Sequence, residues 1–374
     1  MCVPVLCRAL AVCTALLGTA VSTAPAYQVV HSFGGKYGAY PSGDLQQDKD
    51  GNLYGTTHAG GVSGGGTIFK LDTAGTLSVL YSFAGGADGR DPEAGVFVDQ
   101  ATGDLYGTTT AGGGSGNGGV FRVTAAGEFK VLHDFHPAAD GSQPYAPLTR
   151  DGDGNLYGTT YQDGPNHNGT IFKVAPDGTF SILHAFIAQQ GGGASGHLER
   201  HGASLYGISE LGGSGSGTLW RTRTDGSFAL MHTFNWGVGL AGGPVRDSAG
   251  NLYGPHICCD NNGQIYVLNR NGELGTLYAF TGGADGRYPG GTLLMSRSGE
   301  LLGTTNRGGD ADMGVIFQLD LQGKLKVLHS FTGAPQDGAT ANGGLIKARD
   351  GKLYGTTQQG GTADKGVIFS VRAR

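Results

Sequence analysis

A Leu-Tyr-Gly motif returns along the whole chain, with its tyrosine at Tyr54, Tyr106, Tyr157, Tyr206, Tyr253 and Tyr354. Leu302 fills the same slot in Leu301-Leu302-Gly303. Successive copies lie 52, 51, 49, 47, 49 and 52 residues apart. Self-similarity at such a period marks an array of one supersecondary unit. Two further motifs keep the same beat. An apolar residue followed by an aromatic places Phe69, Phe121, Phe172, Trp220, Tyr266, Phe317 and Phe369 in one slot. A segment reading apolar, His or Tyr, small, Phe places Phe33, Phe83, Phe135, Phe186, Phe234, Phe280 and Phe331 in another.

Each unit accommodates four short strands, in the first copy roughly Gly43–Asp48, Asn52–Thr57, Gly66–Leu71 and Leu77–Phe83. Between them stand Asp50-Gly51-Asn52, Asp153-Gly154-Asn155, Asp177-Gly178 and Asn271-Gly272, residues that accept the positive φ of tight hairpins. Four antiparallel strands at this period predict an all-β fold, a seven-bladed β-propeller. Closure into a ring also protects sheet edges that a flat stack would expose. The chain of 374 residues carries 73 glycines without a three-residue period, which excludes collagen. Its 38% hydrophobic and 9% aromatic content excludes a disordered glycine-rich polymer.

The strand count predicts how the ring closes. The segment Tyr27–Phe33 carries the outer-strand motif but precedes every first strand, and the last repeat stops at Val371 after its third strand. The N-terminal strand therefore completes the last blade. Residues 1–26 read as a cleaved signal peptide: Arg8, an apolar run from Ala9 to Val21, then Ala24-Pro25-Ala26. Cleavage after Ala26 would leave residues 27–374 as one propeller domain, secreted or periplasmic, without a membrane span and expected to be monomeric. Lys and Arg are scattered singly at a net charge of −5, which argues against nucleic acid as a partner.

The repeats resemble the bacterial GloVer tandem-repeat proteins, called choice-of-anchor, over essentially residues 27–374. The resemblance rests on Leu53–Thr57 (Leu-Tyr-Gly-Thr-Thr), then Gly60-Gly61, then Gly66–Lys70 (Gly-Thr-Ile-Phe-Lys), and on their repetition. It implies a secreted propeller and no common activity.

The long loops, such as Thr56–Gly65 and Ala84–Ala94, fall on the face opposite the tight turns, where binding concentrates. Most motif matches there are weak. Asp151-Gly152-Asp153-Gly154-Asn155 imitates a calcium loop but lacks its later glycine and acid. The glycine patterns at 114–119 and 61–65 lack the helix that phosphate binding or a nucleophile elbow requires. No cofactor motif and no metal site emerge. His31, His133, His184, His232 and His329 share a slot with Tyr81 and Tyr278, which predicts a structural ring with a polar tip.

Three functional readings follow. In the first, Tyr40, Tyr145, Trp236 and Tyr288 stack on sugar rings while loop amides take hydroxyls, giving a module for a polysaccharide or cell-surface glycan. In the second, a polysaccharide lyase uses His167, His256 and Tyr161 as base and acid, with Arg287 and Arg307 neutralising a uronate carboxylate. A glycoside hydrolase would need two paired carboxylates, and no spacing pairs the loop acids, Glu93 and Glu210 among them. The third reading is a purely structural repeat protein. Cys258 and Cys259 have only each other as partners in the mature chain, which favours a vicinal disulfide over two free thiols or a zinc site with His256.

Overall fold

The computed structural model describes residues 26–213, 217–234, 239–240, 242–257 and 262–372. Seven four-stranded antiparallel sheets form a β-propeller, six of successive strands and the seventh completed by the N-terminal strand, and blade five adds the short strand Gly239–Leu240. Blade one comprises Gln46–Gln47, Leu53–Thr57, Thr67–Leu71 and Leu77–Ser82, paired in that order. The only helix among the described residues is the single turn Pro137–Asp140. No described helix is long and apolar enough to cross a membrane.

Packing explains each repeated motif. The glycine of Leu53-Tyr54-Gly55 faces Phe69 across the sheet, and a Cβ at Gly55 would lie 2.6 Å from the Phe69 ring tip. Glycine therefore makes room for the aromatic slot. The tyrosine hydroxyls of Tyr54, Tyr157 and Tyr253 donate to the turn aspartates Asp48, Asp151 and Asp247 at 2.9, 2.8 and 3.1 Å. Asp151 also accepts from the Asp153 and Asn155 amides and the Asn155 side chain. Its oxygens are thus engaged in closing a hairpin.

The third motif joins blades. Phe33 packs on Phe69, Phe83 on Phe121, Phe135 on Phe172 and Phe186 on Trp220, with centroids 5.2–5.3 Å apart. Phe234 on Tyr266, Phe280 on Phe317 and Phe331 on Phe369 complete the circle at 5.3–5.4 Å. All seven Phe residues are buried. Each is the last ring of one blade wedged against the aromatic slot of the next, so apolar burial is continuous around the ring.

The histidine slot proves structural. His133 Nε2 donates to Asp140 Oδ2 at 2.8 Å, and its ring stacks on Phe180 at 3.7 Å. His184 pairs with Gln190 and stacks on Phe228, and Tyr81 pairs with Asp88 and stacks on Phe129.

The N-terminal strand Tyr27–Ser32 pairs with Val367–Val371 and closes blade seven, as the strand count predicts. The first strand of blade one is shorter than expected: Gln46–Gln47 replaces the span Gly43–Asp48, whereas blade six opens on the longer Arg287–Met295. The cause is crowding near the axis. Gly43 lies against the backbone of Ala94 and Gly95 in the next blade, where a Cβ would clash. These inner segments contact their neighbours instead of extending the ladder, and together they wall a central channel.

Candidate ligand site at the channel mouth

The residue preceding the buried apolar anchor of each inner segment points to the channel. In blade order the slot holds Asp44, Gly95, Pro147, His197, Pro244, Thr292 and Gly344. Only blades one and four place a titratable group there. Asp44 and His197 border both a cavity of about 500 Å³ on the long-loop side and one of about 490 Å³ on the hairpin side. They mark the waist between the two. Asp44 accepts the Gly344 amide through Oδ1. Burial holds the His197 imidazole below its ordinary pKa, against the pull of the Asp44 carboxylate.

Two residues earlier stand Ser42, Glu93, Tyr145, Ser195, Gly242, Gly290 and Asn342, and every one lines the long-loop cavity. A third set follows the second residue of each Thr-Thr slot: among these, Glu210, Ile257 and Asn306 also line it. The two sets meet between blades. Glu93 faces His58 at 2.7 Å, and this bond leads the causes that raise the His58 pKa. Glu210 accepts from the Tyr161 hydroxyl at 3.1 Å and from Ser195 Oγ. Tyr161 meets Tyr145 edge to face, with centroids 5.3 Å apart at 87°. Burial, then Glu210, pushes the Tyr161 phenol up to about 12. The Tyr145 phenol is raised by burial and by Glu93 and Glu210, whose carboxylates both act on it. The Oδ1 atoms of Asn306 and Asn342 are buried and lack a hydrogen-bond partner. Among the described residues no Lys or Arg lines this cavity.

The hairpin-side cavity differs. Phe97, Leu294, Met295 and Ile346 give it an apolar wall, interrupted by Glu199 and Arg246. Burial raises the Glu199 carboxyl to about 7 despite the nearby guanidinium.

Of the residues singled out in the sequence, Tyr145 and Tyr161 are brought together here. The others are placed elsewhere. His167 is exposed in a turn at φ 59°. His256 is 3% exposed within the strand Leu252–Ile257, opposite Gln264, with its ring 4.9 Å from Phe234. It occupies the slot of Thr57, which bonds Thr67 across the equivalent pair. Arg287 and Arg307 are cross-strand neighbours on blade six, and Arg287 binds Asp312 at 2.8 Å. Tyr40 and Tyr288 occupy a left-handed slot at φ 58° and 55°, shared with Asp91, Gln143 and Thr340. That backbone conformation recurs at the entries of blades one, two, three, six and seven. Trp236, Cys258 and Cys259 lie outside the described residues. Asp44, Ser195 and the two asparagines escaped sequence reading, although comparing repeats at the slot before each buried Leu or Val would have exposed Asp44 and His197.

The sequence model of the Gloeobacter/Verrucomicrobia repeat matches residues 17–220 and 194–374. The chain belongs to that family. Curated proteins yield no match. Among solved structures, this family member is similar to a candidate 6-phosphogluconolactonase from Bacteroides uniformis, with 18% identity and a TM-score of 0.52. That likeness covers 79% of this chain and 84% of the other. The extracellular domain of a candidate one-component system from B. thetaiotaomicron matches at 12% identity and a TM-score of 0.55. It involves 88% of this chain but 38% of that one. At these identities the likeness shows the propeller fold alone.

Proposed function

We propose that this repeat protein is an exported saccharide-binding module whose site is the long-loop mouth of the channel. The observation that carries the reading is the edge-to-face pair Tyr145–Tyr161 with Glu210 and Ser195 at a cavity of about 500 Å³. Saccharides offer apolar ring faces to aromatics and hydroxyls to carboxylates, hydroxyls and amides, and this cavity provides all of them. The buried acceptors of Asn306 and Asn342 add capacity for hydroxyl donors. Export is supported by the signal-like sequence of residues 1–26.

The lyase reading draws less support. A uronate carboxylate needs a cation beside it, yet Arg287 is engaged by Asp312, and the cavity presents carboxylates. The test is affinity electrophoresis and calorimetry of the folded chain against a polysaccharide panel, with ultraviolet absorbance of unsaturated products followed in parallel. Retardation abolished by Tyr145→Ala at unchanged melting temperature is expected. Absorbance growth would support lyase activity instead, and no binding would leave the structural reading standing.

A further inference from the structure

Resting on the saccharide reading, charge at the mouth narrows the ligand class. Three carboxylates line the cavity, Asp44, Glu93 and Glu210. Glu93 is matched by His58 at 2.7 Å. Glu210 accepts only from the neutral hydroxyls of Tyr161 and Ser195, and Asp44 from a backbone amide. Neither has a cationic partner among the described residues. His197, the one lining group able to become cationic, has its pKa lowered by burial, against the pull of Asp44. The undescribed segments 235–238, 241 and 258–261 contain no Lys or Arg that could enter the cavity. The carboxylates of Glu93 and Glu210 both act on the Tyr145 phenol, and its ring supplies a π face on which a cation is also favoured.

We propose that the channel mouth selects saccharides bearing a free amine, glucosamine-type units, over neutral and uronic-acid saccharides. An ammonium would take a charge-assisted hydrogen bond that Asp44 or Glu210 leaves open, while the sugar ring lies against Tyr145. An N-acetylated unit presents a neutral amide and forfeits the charge. A uronate brings a like charge to a site already negative, which is unfavourable at close range.

The test is calorimetric titration of the folded chain at pH 6.5 and low salt. The probes are three oligosaccharides of equal length: a glucosamine oligomer, its fully N-acetylated counterpart and a galacturonic acid oligomer. The glucosamine oligomer is expected to bind at least ~10-fold tighter than the acetylated one, the scale by which charged hydrogen bonds exceed neutral ones. Added salt should shrink the preference. Asp44→Asn and Glu210→Gln should each weaken binding of the glucosamine oligomer by a larger factor than binding of the acetylated one, with circular dichroism confirming the fold. Two variants at separate places keep the test open should one fail to fold. Equal affinity for amine and acetylated oligomers overturns the amine assignment and leaves saccharide binding intact. Tightest binding of the uronate overturns it too. Absence of binding to all three sinks this proposal, and the polysaccharide panel then decides the reading beneath it.

Discussion

Tyr27 and Asp337 lie 310 positions apart in sequence, yet the Tyr27 hydroxyl donates to Asp337 Oδ1 at 2.5 Å. The Tyr27 ring lies flat on His329 at 3.5 Å, and His329 binds the other oxygen of Asp337 at 2.9 Å. The first residue of the N-terminal strand thus repeats, between blades seven and six, the contact that Phe180 makes with His133 between blades three and two. Ring closure reuses the interface of the repeat, with a tyrosine that adds a hydrogen bond.

Removing Tyr27–Phe33 should therefore be far more damaging than trimming Ala373-Arg374. The deletion bares the edge Val367–Val371 and opens the wedge of Phe33 on Phe69. Differential scanning calorimetry should show loss of the cooperative transition or a drop of more than 10 °C. The two-residue trim should shift it by less than about 1 °C. Tyr27→Ala should cost roughly 2–3 kcal/mol, combining lost burial with the loss of one of the two donors to Asp337 Oδ1. A shortened chain that melts like the full one would show that the N-terminus does not close the ring.

Acid should attack the same contacts. Burial alone would raise the Asp337 pKa, but hydrogen bonds from His329, Tyr27 and the Thr332 amide outweigh it and hold the carboxyl below its ordinary value. Asp48, Asp151 and Asp247 are lowered in the same way by the turn amides and asparagines they bind. A carboxyl lowered in the folded state contributes stability that is complete above the unfolded value, about 4, and lost as pH falls through the folded one. The melting temperature should hold from pH 5 upward on this account and fall steeply below pH ~4. Asp337→Asn should melt lower than wild type at pH 7 and converge on it near pH 2.5.

The fold was legible because every repeat says the same thing. Gly55 facing Phe69 and Tyr54 bound to Asp48 are local pairings, readable as motifs at fixed spacing. The site was less legible because it lies where repeats differ and blades meet. Tyr145 and Tyr161 belong to blade three, while Glu210 and Ser195 come from blade four, so no linear spacing announces them. His256 misled for the opposite reason. It departs from Thr-Thr, but its slot faces Gln264 inside the sheet, and a departure there changes packing.

This placement separates the histidines by outcome. His133→Ala should cost about 2–3 kcal/mol, because it strips the stack on Phe180 and removes the donor to Asp140 Oδ2. His256→Ala should also destabilise, since it opens a cavity beside Phe234. His167→Ala should stay within about 0.5 kcal/mol of wild type, as an exposed turn residue. Urea denaturation of the three variants distinguishes these values. Equal losses at all three would contradict the assignment of His167 to the surface.

Glu199 carries the opposite pH signature to the turn aspartates. Burial among the hairpin-side cavity walls raises its carboxyl to about 7, only partly offset by Arg246. A carboxyl raised above its unfolded value, about 4.3, favours the folded state while protonated. It therefore subtracts stability as pH climbs from about 4.3 through 7, and the loss is complete above that. Glu199→Gln removes the titration and keeps the shape. Its melting temperature should exceed that of wild type by several degrees at pH 8 and approach it at pH 5, measured by differential scanning fluorimetry in matched salt. A constant difference across that range would mean that the substitution acts through packing. No difference at pH 8 would mean that the Glu199 carboxylate reaches water or a tighter bond to Arg246 when ionised.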